Sequence, residues 1–246
     1  MTQVIINGTL IQMFGKVKGN NNNKFNRAAK LAYSFEELDA KFNRFIEKGS
    51  CTTENARCAL ALRLMMYSGI RVGNEGSAEG YMTKPHPNSK KEPEFVQTYG
   101  LTSITKEHIL FKRKRCYLNF VGKKQVENSF ILEKDLSIQL LELHDNYQAE
   151  TLFDITAYQL TKFIKRYVGK QFSPKDFRTM KANIEAWNIL GSILNRPRAT
   201  AQREIKAEVK EIALHVSECL NNTPSVCKKS YIDDMLFIYH QEQRFI

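Results

Sequence analysis

The sequence predicts a mainly helical α+β protein that carries one small antiparallel sheet. Three observations lead there. Apolar residues recur at three- and four-residue spacing along most of the chain, which is the signature of helices with one buried face. Between residues 108 and 132 the pattern changes to alternation, as HILFK, CYLNFV and VENSFIL separated by basic turns. Finally, Ser, Thr and Pro stand at capping offsets before several of the helical runs.

Residues 1–33 show no clear period, and the NNNN run at 20–23 reads as a flexible joint. Residues 1–24 are therefore expected to be a short N-terminal extension to one domain spanning 25–246. Ser34 and Glu37 form a capping box for a helix that buries Phe35, Leu38, Phe42, Phe45 and Ile46 and stops at Gly49. Residues 53–67 are apolar nearly all round, which predicts a central buried helix, and this helix delivers SGIRVGNE into a turn. Residues 77–99 contain three of the six prolines without any period and read as an exposed insertion. The sheet follows. Helices resume behind Thr156 and Gln159 as a second capping box, then behind Ser173, Pro174 and Asp176 as N-cap, first helical residue and third-position acid. A long amphipathic helix after Thr200 buries Ile205, Val209, Ile212, Ala213, Val216 and Leu220 and leads to NNTP. Tyr231 falls just past that break, near the start of a final helix through Ile232, Met235, Leu236 and Ile238.

Composition narrows the function. A chain of 246 residues that is 42% hydrophobic can bury a sizeable core without covalent staples. The five cysteines, Cys51, Cys58, Cys116, Cys219 and Cys227, form no CxxC pair and show no histidine at ligand spacing. Neither a disulfide framework nor a metal site is expected, and the thiols read as reduced. No apolar run approaches the roughly 20 residues of a membrane span, and MTQVIINGTL is not a signal peptide. The expected location is inside a cell, in a cytosol or nucleoid. The net charge of +11 favours a polyanionic partner, nucleic acid being the commonest. The run FKRKR at 111–115 is either a solvated strand end or a phosphate contact.

Four stretches stand in a fixed order: SGIRVGNE with Arg71, FVGKKQ with Lys123, KDFRTMKAN with Arg178 and NNTPSVCKKSY with Tyr231. Each has a bland reading alone: a helix cap, a solvated turn lysine, a core arginine and a packing phenol. In this order, over residues 25–246, they resemble the type IB DNA topoisomerases of the small poxvirus-like and bacterial kind. The resemblance implies the helical catalytic domain shared with tyrosine recombinases and duplex DNA as partner. It also implies relaxation of supercoils through a 3′-phosphotyrosyl intermediate, without cofactor, ATP or obligatory metal. Tyr231 would attack the phosphodiester, Arg71 and Arg178 would bind the non-bridging oxygens through charge-assisted hydrogen bonds, and Lys123 would protonate the departing 5′ oxygen. Lys124, Lys175, Asn183, Lys228 and Lys229 are expected DNA contacts.

Two departures stand out. Where the family often has histidine, nine residues before the tyrosine, this chain has Asn222, whose amide can donate to an oxygen but carries no charge. The β-rich clamp domain of the poxvirus-like enzymes has no counterpart before the catalytic part, so the clamp is expected to be absent, abbreviated or supplied by another chain. A monomer is expected. The alternatives are a tyrosine recombinase or integrase, against which Lys175 and the SYIDD context argue, and a catalytically silent DNA-binding module of the same fold.

Overall fold

The computed structural model describes residues 2–6, 9–13, 21–83, 92–113, 115–199 and 201–244. In chain order it contains β1 (Thr2–Ile6), β2 (Thr9–Met13), α1 (Asn21–Tyr33), α2 (Phe35–Gly49), α3 (Glu54–Ser68), α4 (Glu75–Glu79), β3 (Tyr81–Met82) and β4 (Phe95–Val96). Then come β5 (Ile109–Lys112), β6 (Arg115–Gly122), β7 (Val126–Ile131), α5 (Lys134–Asn146), α6 (Ala157–Tyr167), α7 (Pro174–Leu194), α8 (Gln202–Cys219), α9 (Pro224–Ser230) and α10 (Asp234–Arg244). The predicted class, helices plus a small antiparallel sheet, is the observed one. The chain divides into two compact units: Met1–Asp39 with Met66–Gly69 and Gly169–Ile246, and Ala40–Met65 with Ile70–Val168. No helix among the described residues is long and apolar enough to cross a membrane.

In the second unit the sheet has the order β5-β6-β7, antiparallel throughout, with Ile109 opposite Leu118 and Gly122 opposite Val126. Alternation decides its faces: Cys116, Leu118, Phe120 and Gly122 are buried, while Arg115, Asn119 and Val121 are exposed. Ser137 on α5 fastens the sheet by accepting the Cys116 N–H at 3.0 Å and donating to the Glu133 carbonyl at 2.8 Å. Helix α3 is buried on all sides, as its even apolarity predicts, and burying each of Leu60, Leu62 and Leu64 is worth about 1.5–3 kcal/mol. Its Arg57 is satisfied by the carbonyls of Thr52, Phe153 and Asp154. Phe42, Phe45, Phe163 and Tyr167 form an aromatic cluster between α2 and α6, in which Phe45 meets Phe163 and Tyr167 edge-on. The predicted Thr156–Gln159 capping box forms, the Thr156 N–H meeting Gln159 Oε1 at 2.8 Å, and the predicted Ser173 N-cap and Asp176 make another, the Ser173 N–H meeting Asp176 Oδ2 at 2.9 Å, while at the expected Ser34–Glu37 box the Ser34 carbonyl accepts the Leu38 N–H at 2.8 Å.

In the first unit, α7 and α8 enclose a core of Ala186, Trp187, Leu190, Ile212, Val216 and Leu220, closed by Cys227, Ile232 and Leu236. The sequence reading differs from the structure here in three places, the first being the antiparallel β1–β2 pair in residues read as aperiodic. Residues 21–33, read as joint and aperiodic chain, form α1, which packs on α7 and buries Phe25, Ala28 and Leu31. The segment after NNTP is not one helix: α9 ends at Ser230 and α10 begins at Asp234, so Tyr231 lies in a second break. In the other unit the expected exposed insertion is pinned by the β3–β4 pair, with Val96 and Thr98 buried, although residues 84–91 lie outside the described ones. Helix α5, with Leu136, Leu140 and Leu143 at helical spacing on its buried face, is an addition to the expected elements.

Candidate active site

Arg178 sits in the first turns of α7, started by Pro174 and the Ser173–Asp176 box. Asp176 also accepts Arg27 Nε from α1 at 3.0 Å, which fixes this helix start on a second element. The Arg178 side chain is buried, with Nη1 donating to the Gly69 carbonyl and Nη2 to the Leu220 carbonyl at 2.7 Å. Gly69 permits this. Its φ is +66°, and a Cβ there would stand 2.5 Å from Leu220 Cδ2, so both backbone conformation and space demand glycine.

The Arg178 guanidinium carbon lies 5.2 Å from the centroid of the Tyr231 ring, within cation–π range. Tyr231 caps the C-terminus of α9, its N–H bonded to the Cys227 carbonyl at 2.9 Å, and its half-buried ring packs against the core. The segment is held from two more directions. Asn183 Nδ2 donates to the Tyr231 carbonyl at 2.8 Å and to the Thr179 carbonyl at 2.7 Å, while its Oδ1 accepts the Asp233 N–H at 2.9 Å. From α1, Lys24 Nζ donates to the Ser230 carbonyl at 2.9 Å. Burial, seconded by the charge of Lys175, holds the Lys24 ammonium below the usual lysine range, against the pull of Tyr231, Asp233 and Asp234. Burial likewise raises the Asp233 carboxyl above the usual aspartate range.

The expected residues thus fall into two groups. Arg178, Tyr231, Asn183, Asn222, Lys175, Lys228 and Lys229 share the first unit. Asn222 Oδ1 accepts the Thr223 N–H at 3.0 Å, but its Nδ2 is buried without a hydrogen bond. Lys175, Lys228 and Lys229 are exposed, with Lys228 Nζ 5.4 Å from the Phe237 ring centroid. Asn183 is buried, and its amide braces the tyrosine segment through the backbone groups of Thr179, Tyr231 and Asp233.

Arg71, Lys123 and Lys124 belong to the second unit. Arg71 is half-buried, and its carbonyl accepts the Leu101 N–H at 2.8 Å while Val72 O accepts from Thr102 at 2.7 Å. This pairing needs two glycines in contact, since a Cβ on Gly100 would stand 2.5 Å from Gly73 Cα. Lys123 and Lys124 are exposed in the β6–β7 turn, where Lys124 takes the left-handed conformation at φ 65°. Lys24 was not among the expected site residues, because nothing in NNNKFNRAAK marks it. The absence of a histidine at ligand spacing from any cysteine is corrected: His215 precedes Cys219 by one helical turn, and Cys219 Sγ lies 3.7 Å from His215 Nε2.

Residues 15–244 match the family model of the catalytic core of eukaryotic DNA topoisomerase I. The chain belongs to this family. Among curated proteins, the DNA topoisomerase 1B of Acanthamoeba polyphaga mimivirus is 25% identical over a match covering 55% of this chain. That match spans 45% of the viral protein's length. The topoisomerase I family match takes in all four motif stretches that carried the resemblance in the sequence.

Proposed function

We propose that this chain is a type IB DNA topoisomerase that nicks one strand of duplex DNA, lets the duplex swivel and reseals the strand. The observation that carries this reading is Tyr231 in a break between two helices, with Arg178 against its ring and its backbone braced by Asn183 and Lys24. A nucleophile is useful only if held at the attacking distance, and a braced tyrosine loses little entropy on approach to the phosphate.

In the proposed reaction the Tyr231 hydroxyl gives up its proton to solvent as its oxygen attacks the phosphorus, a 3′-phosphotyrosyl bond forms, and the bond to the 5′ oxygen breaks. Arg71 and Arg178 meet the negative charge on the non-bridging oxygens, where losing one such donor costs about 10² to 10³ in rate. The unpartnered Asn222 Nδ2 is a further donor for the same oxygens, supplying a neutral hydrogen bond where a histidine would supply a charged one. Lys123, on an exposed turn, gives its proton to the leaving 5′ oxygen. Lys124, Lys175, Lys228 and Lys229 hold flanking phosphates. The phosphotyrosyl bond conserves the energy of the broken one, so resealing is the reverse step and needs no ATP.

The test is relaxation of supercoiled plasmid by the purified chain in EDTA without ATP. Relaxation together with a denaturant-stable protein–DNA adduct, both lost in Tyr231→Phe, is the expected result. Strict dependence on magnesium, or an adduct that persists in Tyr231→Phe, would overturn it. Strand exchange between defined sites without relaxation would assign the same residues to a recombinase.

A further inference from the structure

Away from the tyrosine, α7 and α8 bring together three side chains that the strand-cleaving reading does not use. Glu185 comes from α7, and His215 and Cys219 come from successive turns of α8, so that the latter two share one helix face. Their donor atoms converge. His215 Nε2 lies 3.2 Å from Glu185 Oε2 and 3.7 Å from Cys219 Sγ, and all three donor atoms lie within 4.8 Å of one another.

Those separations are the edges of a coordination shell. A tetrahedral Zn²⁺ with bonds of about 2.0 Å to nitrogen and oxygen and about 2.3 Å to sulfur holds nitrogen and oxygen about 3.3 Å apart, and nitrogen and sulfur about 3.5 Å apart. The carboxylate is already turned: Lys181 Nζ holds Glu185 Oε1, leaving Oε2 toward the histidine. The site is also reachable, since the His215 side chain is 36% exposed.

We infer that Glu185, His215 and Cys219 form a binding site for a borderline divalent transition metal, Zn²⁺ being the natural occupant, with water as fourth ligand. Thiolate and imidazole select such an ion over Mg²⁺ or Ca²⁺, which require oxygen shells. On binding, the Cys219 thiol passes its proton to solvent and the sulfur enters as thiolate, while His215 coordinates through the neutral ring nitrogen. The ion ties the middle of α7 to the C-terminal turn of α8. Cys219 immediately precedes Leu220, whose carbonyl anchors Arg178, so the metal secures that anchor. This inference rests on the first unit alone and stands apart from the proposed function.

The experiment uses the full chain, stripped with chelator and exchanged into metal-free buffer. Calorimetric titration with ZnCl₂ should show one equivalent bound, and substitution with Co²⁺ should give a thiolate-to-cobalt charge-transfer band. Zn²⁺ should raise Tm, because a ligand that binds the folded state stabilises it. Cys219→Ser should abolish the sulfur band, and Cys219→Ser and His215→Asn should each weaken binding at least about tenfold, the scale on which mutations in a metal site act. The cobalt spectrum is read on the unaltered chain, so it tests the inference even if a variant misfolds. No charge-transfer band on that chain, or equal Zn²⁺ affinity in both folded variants, would overturn it.

Discussion

Replacing Asn183 with alanine removes three hydrogen bonds from one buried point: those to the carbonyls of Thr179 and Tyr231 and the one from the Asp233 N–H. Each is worth about 1 kcal/mol, and leaving the Asp233 N–H unpaired adds a further desolvation cost, so about 2–4 kcal/mol of stability should be lost. For a chain of this length that lowers Tm by roughly 5–12 °C. Asn183→Asp should be at least as harmful, because it sets a carboxylate oxygen against two carbonyls. The catalytic effect has a separate signature. An unbraced Tyr231 carbonyl lets the nucleophile drift, and a misplacement of about 1 Å costs on the order of 10² in rate. Single-turnover cleavage at saturating DNA should therefore slow about a hundredfold, with DNA affinity nearly unchanged. A phosphate contact would give the reverse, weaker binding and a salt slope smaller by about one, with cleavage at saturation preserved. Cleavage at the parent rate in Asn183→Ala, with Tm within about 1 °C of the parent, would refute the brace.

Two more outcomes follow from single residues. Lys123→Ala should slow cleavage of ordinary DNA strongly and be largely rescued when the 5′-bridging oxygen is sulfur, since a thiolate leaves without a proton; equal slowing on both substrates would remove Lys123 from the acid role. Burial raises the Asp233 carboxyl, so the folded chain binds that proton more tightly than the unfolded chain. The stability this contributes is present below the unfolded pKa of about 3.9 and is lost as pH rises through the raised folded value. Asp233→Asn keeps an acceptor for the Met235 N–H, at 3.1 Å in the parent, and buries no charge. Its Tm relative to the parent should rise between about pH 3 and pH 7, and a pH-independent difference would remove Asp233 as the cause.

The sequence by itself determined whatever depends on residues a few positions apart. The Ser173–Asp176 and Thr156–Gln159 boxes were legible because a cap is a contact across three residues. The three strands were legible because side chains on a pleated strand alternate in steps of two. The order of Arg71, Lys123, Arg178 and Tyr231 was legible because the motifs lie along the chain. Helix α1 was not, because asparagines are poor helix formers and its stability comes from Phe25, Ala28 and Leu31 packing on α7. Only tertiary structure decided what holds the site. Arg178 is anchored to Gly69, 109 residues earlier, and to Leu220, 42 residues later. Asn183 reaches Tyr231 across 48 residues, and Lys24 reaches Ser230 across 206. Glu185 meets His215 across 30. Each of these contacts joins groups whose local sequence is ordinary. A hydrogen bond between distant residues forms when core packing has already fixed both ends, and that packing is a property of the whole chain that no short stretch encodes.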